Sequence, residues 1–127
     1  MQIRRRHAES FLLVGDLVLA QPDDPLLALT SVAASVAVLA GIAASDTACC
    51  ASLRRRARGQ DHAEAIDLVK SVSPGGEQMA RDLARLLSLK DNAQYGVLMV
   101  PRDTAESAVA WARRLVENAR QVLAVTP

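Results

Sequence analysis

The stretch that decides the fold is LLALTSVAASVAVLAGIAA, Leu26 to Ala44, which contains no charged residue. It is too long for an ordinary strand. It is rich in Ala and Leu, which lead the helix scale. Its apolar residues cover nearly every side of a helical wheel, the pattern of a helix buried at the centre of a bundle. The run also approaches the length of a membrane span. Its Ala, Ser and Thr content, the lack of Trp or Tyr at its ends and its continuation into Asp46 favour the buried helix.

Working outward, Asp24 and Pro25 precede this run as an N-cap and first helical residue, which predicts a helix from Pro25 to about Arg56. Upstream, Ala8, Phe11, Leu12, Val18 and Leu19 follow helical spacing and predict a helix from Arg4 to Leu19, stopped by Gln21-Pro22. Downstream, Gly59 breaks the chain. Asp61 and Glu64 then form an Asp-x-x-Glu capping pattern. Ala65, Ile66, Val69 and Val72 give the third helix one apolar face. Ser73-Pro74-Gly75-Gly76 is a turn. Met79, Leu83, Leu86 and Leu87 mark a fourth helix ending near Asp91, and the apolar run from Tyr95 to Val100 reads as an extended link. Asp103 and Glu106 repeat the capping pattern before a fifth helix that buries Ala108, Trp111, Ala112, Leu115, Ala119 and Val122. The expectation is a single all-α domain over residues 1–127, an up-and-down bundle of about five helices.

Composition agrees. Apolar residues make up 50% of the chain and aromatics 2%, so the core must close on small aliphatic side chains. A net charge of +1 gives no overall pull on a polyanion. The arginines are nevertheless clustered, at Arg4-Arg5-Arg6 and at Arg54-Arg55-Arg56 with Arg58. Each cluster suits either a phosphate backbone or a solvated helix end. Cys49 and Cys50 are adjacent and point about 100° apart on a helix, so a bridge between them is excluded and buried thiols are expected. No zinc-ligand spacing, phosphate-cradling glycine loop or signal-peptide pattern is present, so no metal or cofactor is expected and the location expected is cytoplasmic.

Two polar signatures interrupt this apolar background. The first is Arg58-Gly59-Gln60-Asp61-His62; the second is Lys90-Asp91-Asn92-Ala93-Gln94-Tyr95-Gly96. Asp46 is the only charge between Pro25 and Leu53, and burying a lone carboxylate costs several kcal/mol. Either it faces solvent near one end of the helix, or it is answered by Arg58, His62, Lys90 or the Tyr95 hydroxyl. His62 begins a helix, where the dipole disfavours its charged form and suits a general base. The spacing from Arg56 to His62 also satisfies a loose Arg-x(4–6)-His nuclease pattern. Lys90, Gln94 and Tyr95 close the fourth helix.

The order of these features resembles the HEPN superfamily of small helical RNA-associated proteins. Ala43 to Ala51 supplies an Ala-rich helix, Gly59-Gln60-Asp61-His62 a loop with a histidine, and Lys90 to Tyr95 an Arg-x-x-Ala-x-Tyr-like turn. The resemblance covers about Ala33 to Arg120 and is closest to the small stand-alone HEPN proteins of actinobacteria. It implies a dimerising up-and-down bundle. In active members an Arg and a His from each subunit line a cleft and cut RNA without metal. Many are toxins paired with an antitoxin, often a nucleotidyltransferase, which in one class modifies a tyrosine. Here Lys90 stands at the Arg position and Gln94 at the His position, and only Tyr95 carries over directly. Lys holds phosphate as a point charge, and Gln moves no proton at neutral pH. The expectation is therefore a non-catalytic or weakly active homodimer of a toxin–antitoxin or defence type. It would bind RNA, a nucleotide or a nucleotidyltransferase-type antitoxin through Lys90, Gln94, Tyr95, Arg58, Asp61 and Asp46, without a membrane. The alternatives are a metal-independent ribonuclease using Arg58, His62 and Lys90, and a structural helical interaction module.

Overall fold

A computed structural model describes residues 2–55, 57, 61–96 and 98–126. The described chain forms five helices: α1 (Gln2–Leu19), α2 (Leu29–Leu53), α3 (His62–Lys70), α4 (Gly76–Tyr95) and α5 (Arg102–Val125). No strand occurs among the described residues. The expected all-α bundle of about five helices is the observed one.

The helix ends differ in detail from the sequence expectation. α2 begins at Leu29 and not at Pro25. The Asp24 side chain accepts from the Leu26 amide (2.8 Å) and its carbonyl from the Leu27 amide (3.1 Å), which closes a separate turn. Ala28 then stands outside the helical region and starts α2 without a side-chain cap. At the other end Arg54 adopts a left-handed conformation (φ 56°) and its amide bonds the Cys50 carbonyl, ending the helix before Arg56. Asp61 does cap α3, accepting from the Glu64 amide at 3.0 Å. α4 runs on to Tyr95, so the expected extended link is shorter than its apolar pattern suggested.

α2 is the hub, packing against α1, α4 and α5, while α3 lies on α4. Its Ala33, Ala34, Ala37, Ala40, Ala43, Ala44 and Ala48 are all buried. Small side chains let the neighbouring helices approach, and Gly41 takes this furthest. A β-carbon there would stand 2.5 Å from Leu86 Cδ1 and 3.2 Å from Leu115 Cδ1, so α4 and α5 both close on that point. Met79, Leu83, Leu86, Leu115, Val38, Val69 and Val122 fill the rest of the core. α2 is the helix among the described residues that is long and apolar enough to cross a membrane, and 56% of its apolar window is buried within the bundle.

Ion pairs fix the registers. Glu9 and Asp16 of α1 pair with Arg120 and Arg113 of α5, so these helices run antiparallel. Arg4 pairs with Asp46, so α1 and α2 are antiparallel too. The N-terminus of α1 and the C-termini of α2 and α5 therefore share one end of the bundle. The link to α5 lies at the other end. There Thr30 donates to the Val100 carbonyl (2.6 Å) and the Val100 amide donates to Ser31 Oγ (2.9 Å).

Candidate functional site

Asp46 is answered, and by a residue the sequence did not nominate. Nε and Nη2 of Arg4, from the first arginine cluster, reach the Asp46 Oδ2 at 3.2 and 3.0 Å. The same guanidinium approaches His7 Nδ1 at 2.9 Å. Guanidinium nitrogens only donate, so Nδ1 accepts. His7 also tilts against Phe11, with ring centroids 6.2 Å apart. Arg4 thus ties α1 to the lone charge of α2.

Of the first polar signature the described residues, Asp61 and His62, open α3, and the second signature closes α4, which packs antiparallel to it. His62 is the first residue of α3 and is half-buried. Asp61 is exposed and occupied as the helix cap. Lys90 is half-buried in the last third of α4 and is not a free cation. Gln94 and Tyr95 form the end of α4, with side chains outside the described set, and Arg58 lies outside the described residues altogether. Counting about 1.5 Å per residue back from the turn, the start of α3 lies beside the middle of α4. Lys90 is then about 10 Å further along α4 and Tyr95 about 18 Å, so Lys90 is the nearer of the two to His62.

A second polar centre lies between α4 and α5. Asp82 is 0% exposed yet carries four donors. Arg114 clamps it with Nε to Oδ2 at 3.1 Å and Nη2 to Oδ1 at 2.7 Å. Gln78 Nε2 donates to Oδ2 at 3.1 Å, and Arg85 Nη1 reaches Oδ1 at 3.4 Å. The Arg85 guanidinium also sits 5.7 Å from the centroid of Trp111. Arg81 joins the network through Gln78 Oε1 at 3.0 Å. The sequence held a signal for this centre: Met79, Asp82, Leu83 and Leu86 share one helical stripe, so a carboxylate stands on the apolar face of α4.

The third feature is an apolar face. Val32, Val36 and Leu39 lie along one side of α2, with exposed Val14 and Leu17 on neighbouring α1. Leu98 (73% exposed) and Met99 project from the link beside them. A groove of about 450 Å³ runs between Val32 and Val36 on one wall and Ala93, Leu98 and Met99 on the other. Among the described residues no group of three or more His, Cys, Asp or Glu is placed to hold a metal. Cys49 is buried, its thiol pushed up to about 11 chiefly by desolvation, while Cys50 is half-buried.

Compared with protein families, curated proteins and solved structures, the chain finds no match.

Proposed function

We propose that this chain is a helical binding protein of the HEPN-like kind, acting in the cytoplasm as a homodimer. In this reading it has weak catalytic activity or none, and it holds RNA, a nucleotide or a nucleotidyltransferase-type partner near Lys90 and Tyr95. The observation that supports the dimer is the apolar face of α1, α2 and the link. α2 spans about 37 Å and α1 about 27 Å, each about 10 Å wide. Together they offer about 640 Å², approaching the roughly 800 Å² that each partner contributes to a standard interface. The one charge of α2, Asp46, is answered within its own chain, so the face offers a second copy a charge-balanced apolar surface. A two-fold axis through the middle of α2 would bury it against itself.

Light scattering at micromolar concentration tests this reading. A species of twice 13.6 kDa is expected, and Val32→Glu, at a position 45% exposed, should convert it to monomer with unchanged helix content. A wild-type monomer would end the dimer reading. RNA cleavage in the presence of chelator, lost in both His62→Ala and Lys90→Ala, would replace the binding role with the ribonuclease alternative.

A further inference from the structure

The geometry points to a binding surface for single-stranded nucleic acid on the outer groove of α4 and α5, centred on Trp111 and built on Asp82. This surface is separate from the Lys90–Tyr95 end of α4 and from the dimer face. A buried carboxylate normally neutralises its surroundings. Here Arg85 and Arg114 both pair with it, so these three groups together keep a charge of +1 (two minus one), and Arg81 stands a turn away, bonded to Gln78 and in one groove with Glu77, Asp67 and Lys70. The arginines are not consumed by it: Arg85 and Arg114 are 48% and 52% exposed. Arg114 spends Nε and Nη2 on Asp82, and its Nη1 remains available to a ligand oxygen. Arg81 and Arg85 are one helical turn apart on the same face of α4, about 5–6 Å between β-carbons.

The fixing of these side chains beside an aromatic ring is what separates this surface from the second arginine cluster. Gln78 and Asp82 hold the guanidinium groups in place before a ligand arrives, so less side-chain freedom is lost on binding. Arg54 and Arg55, just past the end of α2, are exposed and lack such a frame. The chemistry of the ligand follows from the pairing of cation and ring. Arg85 over half-buried Trp111 offers a flat, positively charged platform. Unpaired bases stack on aromatic rings and on guanidinium planes, while their phosphates meet arginines. A duplex hides its bases, and a simple anion has no use for the platform.

Trp111 is the only tryptophan, so its fluorescence reports this surface and no other. The experiment titrates the full chain with a single-stranded RNA 12-mer while following that emission. Quenching is expected. With two or three arginine contacts, raising salt from 50 to 200 mM should weaken binding about 7- to 18-fold. Arg81→Gln and Arg85→Gln, which leave the Arg114–Asp82 clamp intact, should each flatten the salt slope by about 0.7. Arg55→Gln should leave the quench as it is. An RNA that binds without quenching, or whose binding is lost in Lys90→Ala and kept in Arg85→Gln, overturns the assignment. So does equal quenching by inorganic polyphosphate, since that ligand has no bases, and so does the absence of any binding at low salt.

Discussion

Removing Arg114 should damage this protein more than removing the carboxylate it holds. Asp82 is fully buried, whereas Arg114 and Arg85 are about half exposed. Arg114→Met takes away two of the four donors, including the shortest at 2.7 Å, and leaves a charge that cannot reach water with only Gln78 and the longer contact from Arg85. Breaking a buried pair in this direction costs about 3–5 kcal/mol. Asp82→Asn strands nothing comparable, because both arginines can turn outward and rehydrate. Its cost should be about 1–2 kcal/mol, the value of charge-assisted hydrogen bonds weakened to neutral ones. The double variant should recover much of the Arg114→Met loss, since no buried charge is left. Urea unfolding followed by far-ultraviolet circular dichroism measures all three without relying on Trp111. At a slope of about 2 kcal/mol/M, Arg114→Met should lower the midpoint by about 1.5–2.5 M and Asp82→Asn by less than about 1 M. Equal losses for the two single variants, or no recovery in the double, would refute the claim that the carboxylate is sealed and the arginines are not.

The Glu9 carboxyl is held below its ordinary 4.5, mainly by its hydrogen bonds from Arg120. A depressed carboxyl contributes stability above its unfolded pKa and loses it as pH falls through the folded value. Arg120→Gln should therefore lower the melting temperature above about pH 4.5, change it little in strong acid, and so flatten its fall with acidification. Gly76→Ala should lower the melting temperature, because a β-carbon there would sit 2.6 and 2.7 Å from the carbonyl oxygens of Lys70 and Val69, and backbone cannot step aside as a side chain can. A melting curve that stays within 1 °C of wild type would contradict that packing. Cys49, with its thiol pushed up to about 11, should alkylate slowly at pH 8 in the folded chain and readily in urea; mass spectrometry of the labelled peptides checks this.

Much of the fold was legible before any coordinates. An uncharged run from Leu26 to Ala44 allows few soluble arrangements besides a central helix, and amphipathic spacing marked the helices around it. The cap at Asp61 was readable because Asp-x-x-Glu acts within one turn. Asp24-Pro25 misled because the same local chemistry closes a turn equally well, and the backbone leaves the helical region again at Ala28 before α2 begins.

Long-range pairing was not legible in this way. Asp46 announced that it needed a partner, but nothing in its neighbourhood named Arg4, which lies 42 residues away. Asp82 stood on an apolar stripe, yet its clamp, Arg114, comes from a different helix. Periodicity and capping are properties of neighbouring residues, so the sequence by itself determines the helices and their buried faces. Which charges meet, which arginine lies over Trp111 and which apolar face is left open depend on how those helices cross. That was decided only when α2 drew α1, α4 and α5 around its small side chains.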